Sequence, residues 1–389
     1  MMDIQRPETV SDLSDLIQSA RADQTPLEIG GGFTRRIGRP AQVAKRVSTS
    51  GINGITLYEP GALTLVAAAG TPLSDIETAL DAENQRLAFE PMDHRHLLGT
   101  RGEPTLGGVV AGNVSGPRRI QAGACRDALL GVKFVDGHGA LISNGGRVMK
   151  NVTGYDLTKL LCGSWGTLGV LTEVSLKVLP KPERAATIVL QQSEIAEAIT
   201  TLSKALGSPF EVTGAAHANG QTLLRVEGLD TQVSYRIEKL RDRVARDAHG
   251  IEIADGAEHH ALWASVRDLK AFAGDQSPVW KVSIKPSDAA PVTAAIRAEA
   301  ASAEFVYDWG GGLVWVHLPD TPTDGGAKLV RGAIGKVGGH ATLIRAPETI
   351  RAVVPVFQPE PAKLASLSVA LRERFDPAGI LNPGLMTTA

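Results

Sequence analysis

The 389 residues carry 40 basic and 42 acidic side chains, a formal charge of −2, and 43% apolar residues. That length allows two or three domains with sizeable cores, and the near-neutral balance argues against nucleic acid or another polyanion as a partner. Two cysteines, Cys125 and Cys162, lie outside any Cys-x-x-Cys motif; this argues against a disulfide framework or a cysteine-held cluster and predicts two buried, reduced thiols.

The N-terminus, MMDIQRPETVSDLSDL, lacks a basic start followed by an apolar core, and no apolar run approaches the roughly 20 residues that span a bilayer. A cytoplasmic protein is expected, peripheral on an inner membrane only through partners. Thr9-x-x-Asp12 reads as a capping box, with Val10, Leu13, Leu16, Ile17 and Ala20 on one helical face. Leu27–Ile29 reads as a strand running into Gly30-Gly31-Gly32-Phe33-Thr34-Arg35. Strands follow at 55–58 and 63–66. Thr71 then reads as the N-cap of a helix with Pro72 at its first position and Leu73, Ile76 and Leu80 buried.

Between Gly99 and Gly169 lie sixteen of the 42 glycines, among Asn113, Ser115, Thr153, Ser164 and Thr167. Such a segment offers many N–H and O–H donors on a surface with few side chains, as a long phosphate-bearing cofactor requires. Its last strand, 170–179, ends at Pro180-Lys181-Pro182, a domain boundary. Beyond it, Ile195, Ile199, Leu202 and Leu206 form one helical face, and Val233, Ile237, Leu240 and Val244 another. Residues 279–345 read as strand, helix, strand, strand, helix, strand, the order of ferredoxin-like folds. A last helix places Leu364, Leu367, Leu371 and Phe375 on one face before Asp376-Pro377. No internal repeat is visible.

Gly30–Thr34 follows a strand but is neither GxGxxG nor GxxxxGK[ST], so neither the nicotinamide fingerprint nor the P-loop is supported. Pro104-Thr105-Leu106-Gly107-Gly108 and Ala111-Gly112-Asn113-Val114-Ser115-Gly116 place glycines where a helix avoids them, at about 1 kcal/mol each, which suggests that something packs on bare backbone. Together with VMKNVTGYDL (148–157), GSWGTLGVLTE (163–173), Gly116-Pro117-Arg118-Arg119 and FDPAGILNPG (375–384), this pattern resembles the vanillyl-alcohol-oxidase, or PCMH, type of FAD-binding family. Within that family it is most similar to the FAD-binding accessory subunits of bacterial glycolate oxidases.

The resemblance implies an α+β fold: a two-part FAD-binding domain (1–182), a ferredoxin-like cap for substrate or partner (183–345) and a C-terminal helical segment (346–389) returning to the FAD domain. It maps the pyrophosphate loop to Gly30, Gly31, Gly32, Phe33, Thr34 and Arg35. It maps the flavin cradle to Thr105, Gly107, Gly108, Ala111, Asn113, Ser115 and Gly116, and the adenine-end turn to Gly166, Thr167, Gly169 and Val170. Phe33 and Thr34 stand where some members attach flavin through histidine, which implies dissociable FAD. Implied partners are a larger FAD-containing catalytic subunit and an iron–sulfur subunit; the implied substrate is a small 2-hydroxy acid.

No catalytic residue is assigned. In place of the His-x-x-Gly-Asp-Gly-Asn segment of D-2-hydroxy-acid-oxidising members stands WGGGLVWVHLP (309–319), so His317 is a candidate base or a core histidine. Arg118 and Arg119 are candidates for a substrate carboxylate or for a structural ion pair. Asp93-His94-Arg95-His96 reads as a loop near the flavin rather than a metal site, and His259-His260 as surface. Lys150 and Tyr155 lie near the flavin or brace its turn. Either the chain oxidises the acid itself, or it bears flavin as an assembly or electron-relay subunit.

Overall fold

The computed structural model describes residues 4–40, 43, 45–147, 154–244, 251–320 and 323–387. The first helix, Val10–Ala22, opens on the expected capping box: Thr9 Oγ1 accepts from the Asp12 N–H at 3.1 Å and the Asp12 carboxylate from the Thr9 N–H at 3.0 Å. Leu13, Ile17 and Ala20 are its buried side chains. The helix after Thr71 starts one residue later than expected, at Leu73. Thr71 does not cap it, because its hydroxyl donates to the Ala68 carbonyl at 2.7 Å and accepts from the Gly54 N–H at 2.9 Å.

Ile4–Gln5 (β1), Leu27–Gly30 (β2) and Lys45–Ser48 (β3) form a parallel sheet in the order β1-β3-β2. Ile55–Glu59 (β4), Thr64–Ala68 (β5), Leu129–Val135 (β7), Leu141–Gly145 (β8) and Val170–Lys177 (β9) form an antiparallel sheet in the order β4-β5-β9-β7-β8. Gln85–Arg86 (β6) pairs with Leu179–Pro180 (β10). The chain end returns to the first sheet: the Leu27 N–H donates to the Ile380 carbonyl at 2.8 Å, and Leu381 is buried in the same core as Leu13, Ile17 and Leu27.

The remaining strands build one eight-stranded sheet. Val279–Ser283 (β15), Glu304–Asp308 (β16), Leu313–His317 (β17) and His340–Arg345 (β18), with helices Ala289–Glu299 and Ala327–Gly335, realise the expected ferredoxin-like order and pair as β18-β15-β17-β16. Arg184–Gln191 (β11), Val212–Ala218 (β12), Gln221–Gly228 (β13) and Ile251–Asp255 (β14), with helices Ile195–Leu206 and Asp230–Val244, repeat that order and pair as β14-β11-β13-β12. The architecture is therefore duplicated although the sequence shows no repeat. The repeated property is the burial pattern, which many residue combinations satisfy. The two modules meet where His217 of β12 pairs with Tyr307 of β16.

Helices cover one face of this sheet; Trp280, for example, donates through Nε1 to the Gly325 carbonyl at 2.8 Å. The opposite face meets the glycine-rich segment. The last helix, Ala362–Phe375, departs from expectation. Phe375 packs on Phe134 with ring centroids 6.0 Å apart, but Leu364, Leu367 and Leu371 are 49%, 63% and 39% exposed. Periodicity reveals an apolar face and not whether anything lies against it.

Candidate functional site: a cofactor cleft between two glycine-rich loops

β2 ends in Gly30 and releases the chain into Gly31-Gly32-Phe33-Thr34-Arg35. Asn382 fixes this exit, accepting the Ile29 N–H at 2.7 Å and donating through Nδ2 to the Trp165 carbonyl at 2.8 Å. The second glycine-rich loop lies directly on the first. A side chain on Gly32 would strike the Glu103 carbonyl, and one on Gly31 would strike Thr105. Thr105 then caps the helix Leu106–Ala111, accepting the Gly108 N–H at 3.3 Å.

Between the loops lies a cleft with an empty volume of about 870 Å³. It brings together Gly30, Gly31, Gly32, Phe33, Thr34, Arg35, Thr105, Gly107, Gly108, Ala111, Gly166, Gly169 and Val170. Among the described residues, the N–H groups of Gly32, Phe33, Thr34 and Arg35 donate to no protein acceptor. A row of free backbone donors facing a cavity is an anion-binding arrangement.

Arg35 adds a charge. Its Nε donates to His94 Nδ1 at 3.2 Å, while its buried Nη2 has no partner among the described residues. Burial lowers the Arg35 pKa to about 10, with Asp93 opposing the shift. Burial, then Arg35 and Lys281, push His94 well below the usual histidine range, so it meets Arg35 as a neutral acceptor. A buried donor without a protein partner is costly, and a phosphate-bearing cofactor would satisfy it. Cavity, free amides and unpartnered guanidinium together fit FAD.

Four predicted cofactor residues do not line the cleft. Asn113 Oδ1 accepts the Arg126 N–H at 3.1 Å, and Ser115 Oγ accepts the Cys125 N–H at 2.9 Å. The Gly116 carbonyl accepts from Trp309 Nε1 at 3.1 Å, and Thr167 Oγ1 donates to the Ser164 carbonyl at 2.7 Å. Sequence reasoning missed Thr49, Ser164, Trp165, Asn382 and Leu385 as lining residues. The NPG motif was visible, but its reach to the first loop depends on a contact across 353 positions. Gly107 lines the cleft, yet its missing side chain makes room for Ala69, whose Cβ would lie 2.8 Å from an added Cβ.

Residues 148–153 of the second motif, with Lys150, lie outside the described residues, and Tyr155 is exposed. Cys125 and Cys162 are buried and free. His259 is buried rather than on the surface, because its Nδ1 lies 2.8 Å from Thr187 Oγ1 beneath β11. His94 is likewise buried, and helix Arg95–Leu98 begins just after it, so His94 and His96 do not share an extended face. No group of three His, Cys, Asp or Glu side chains among the described residues is placed to hold a metal.

Arg118 is committed to carboxylates: Nε and Nη2 donate to Glu227 at 3.0 and 2.6 Å, and Nη1 lies 3.6 Å from Glu90. Its fork is spent on structure. His317 sits between Glu304 at 2.9 Å and Asp275 at 3.0 Å and is not among the cleft residues. Arg119 is different: it is exposed, and its guanidinium carbon lies 4.4 Å from the Trp309 ring centroid.

Residues 4–145 match the family model described as an FAD binding domain. The chain is 34% identical to the glycolate oxidase subunit GlcE of Escherichia coli K12 over 96% of both chains. It is 28% identical to the glycolate oxidase subunit GlcD of Bacillus subtilis, over 57% of this chain and 46% of that one. In fold it resembles the 4-ethylphenol oxidase of Gulosibacter chungangensis, with a TM-score of 0.72, 13% identity, and coverage of 99% of this chain and 89% of that one. No described helix is long and apolar enough to cross a membrane. With its paired glycine loops around a phosphate-receptive cleft, the chain belongs to the PCMH-type FAD-dependent oxidoreductases, in the family of glycolate oxidase subunit GlcE.

Proposed function

We propose that this chain is the FAD-bearing subunit of a complex that oxidises glycolate, or a closely related 2-hydroxy acid, to the 2-oxo acid. One observation carries the reading: the cleft joins free backbone donors at Gly32–Arg35 to the unpartnered Arg35 guanidinium, in a chain similar over its whole length to a glycolate oxidase subunit. Bound there, FAD supplies the acceptor for the hydride of the carbinol carbon. The chain's own residues bind and orient it non-covalently: the Gly30–Arg35 amides and Arg35 offset phosphate charge, and Asn382 holds the loop to the Trp165 turn. Domain limits near 182 and 345 accompany this reading.

Two buried thiols cannot hold a four-cysteine cluster, so electrons leave through partners, a larger FAD-containing subunit and an iron–sulfur subunit. A second reading makes this chain a flavin-bearing relay whose partner oxidises the acid. It is favoured by the acid–base groups of the cleft. Glu28, the carboxylate on the lining, pairs with Arg36 at 3.1 Å and Arg46 at 2.6 Å, and His94 Nδ1 is occupied by Arg35.

The purified chain, given glycolate or D-lactate without oxygen, separates these readings. A yellow protein that bleaches oxidises the acid itself, and one that stays yellow is the relay. A colourless protein with no FAD on extraction overturns both.

A further inference from the structure

The face of the eight-stranded sheet turned toward the glycine-rich segment carries a second cluster. Lys281 of β15 pairs in register with Trp315 of β17 and Thr342 of β18, so all three project from one face. That is the face of Arg225 and Glu227, of which Glu227 binds Arg118 of the glycine-rich segment and Arg225 binds Glu90. Lys281 Nζ lies 5.4 Å from the Trp309 ring centroid and 5.6 Å from that of Trp315. Arg119, at the start of the short helix Arg119–Ala122 after Gly116, lies over Trp309 at 4.4 Å. Trp309 in turn donates to the Gly116 carbonyl. Two cations from separate parts of the fold thus converge on one indole.

Among the described residues neither cation forms an ion pair or a side-chain hydrogen bond, although carboxylates elsewhere on this face are bound by arginine. Asp308, the acid beside Lys281, is buried; its Oδ1 accepts the Trp309 N–H at 2.7 Å, and burial lifts its pKa to about 7, while Asp127 is the acid beside Arg119. Near neutral pH Asp308 is therefore only partly ionised and offsets part of the positive charge. Burial, with Arg119 nearby, lowers Lys281 to about 8. Two like charges held together in partial burial are unfavourable until an anion joins them. The cluster adjoins the cofactor cleft through Trp309, whose Nε1 reaches the Gly116 carbonyl at the end of the segment that lines the cleft with Gly107, Gly108 and Ala111.

We infer that Lys281 and Arg119, on the indole shelf of Trp309 and Trp315, form a binding site for the carboxylate of a small 2-hydroxy acid. This rests on the reading of the chain as a 2-hydroxy-acid oxidase subunit and adds the residues that select an anionic substrate. The shelf excludes water from one side of the ligand, and the two cations fix its charged end. That leaves the carbinol carbon free to point toward the cleft.

The test uses the full chain with its FAD and oxalate, a small carboxylate that lacks a carbinol hydrogen. Binding is followed by tryptophan emission and by calorimetry. Saturable binding is expected, with glycolamide, the uncharged analogue of glycolate, failing to bind. Lys281→Met and Arg119→Gln should each raise the oxalate dissociation constant at least tenfold, with unchanged FAD per chain, and Lys281→Arg should restore most of the affinity. Arg119 is exposed, so its variant folds even if Lys281→Met does not. Oxalate binding that survives both substitutions, or no saturable binding in a folded chain, overturns the site. Loss of FAD with oxalate binding intact would instead remove the cofactor reading and leave the site standing.

Discussion

Arg118 and Glu227 meet as a fork on a carboxylate, with Nε and Nη2 at 3.0 and 2.6 Å from the two oxygens. Arg118 follows Gly116 in the glycine-rich segment and Glu227 lies on β13, so the pair bolts the duplicated sheet to that segment. Arg86 donates to the same carboxylate at 3.0 Å, and Arg225 holds Glu90 with two contacts of 3.1 Å. Glu227→Gln leaves buried guanidinium groups without their charge partner, and about 3–5 kcal/mol of stability should be lost. Lys133→Met, which breaks a half-exposed pair with Glu173, should cost less than about 1 kcal/mol. Urea unfolding of both variants checks the contrast.

The same bolt sets an acid limit. Burial alone would raise Glu90 and Glu227, but Arg225 and Arg118 outweigh it and hold both below the usual carboxylate range. Their stabilisation is complete above the ordinary carboxylate pKa and is lost as pH falls toward their lowered values. Asp308 has the opposite sign. Its pKa is raised to about 7, so the folded chain keeps a proton that the unfolded chain has released, and stability declines as pH rises toward 7. Asp308→Asn should flatten that decline, a difference on the order of a few kcal/mol, without moving the acid limb. Unfolding midpoints between pH 3 and 8 would reveal either failure.

Gly107 and Gly108 are adjacent but should fail differently. Gly107→Val drives a branched side chain into Ala69 and should cost upwards of about 1–3 kcal/mol through overpacking. An added Cβ on Gly108 would lie 3.0 Å from Arg35 Nη1, so Gly108→Val displaces the guanidinium and should abolish FAD retention in a folded chain. Flavin absorbance per chain and the melting temperature distinguish them. A normal flavin content in Gly108→Val would place the cofactor elsewhere.

Asn382→Ala removes the hydrogen bonds to Ile29 and Trp165 and leaves the Ile29 N–H without its acceptor, at about 1–3 kcal/mol. Dilution should release FAD faster than from the unaltered chain. An unchanged release rate would show that the tie does not shape the cleft.

Oxalate binding should weaken as pH rises through about 8, where Lys281 loses the proton that attracts the anion. Arg119 with its neighbours Arg126 and Asp127, and Asp308, His340 and His94, share its surroundings; Asp308, which ionises near pH 7, acts in the same direction, so the profile is read in Asp308→Asn as well. A dissociation constant rising toward tenfold per pH unit above 8 is expected. A flat profile from pH 7 to 10 would remove Lys281 from the site.

The cofactor loops were legible because glycine, proline and hydroxyl residues mark tight backbone approach whatever the tertiary context. Residues 279–345 were legible because their strands carry Val, Trp, Leu and Ile between clear helices. The matching module at 184–255 was half hidden: β12 reads VTGAAHA, small residues with little intrinsic strand preference, and only pairing with β13 and β16 makes it a strand. Arg118 also looked like a substrate ligand, because the sequence cannot place Glu227 across 109 positions from it. Long-range ion pairs carry no local signature.

The duplicated sheet separates two duties that compete within a single module. The half at 184–255 commits Arg225 and Glu227 to anchorage, and the half at 279–345 leaves Lys281 without an ion pair among the described residues. Joined at the His217–Tyr307 pair, the halves share a backbone framework but few side chains. Substitutions that retune ligand preference around Lys281 can therefore accumulate without loosening the anchor.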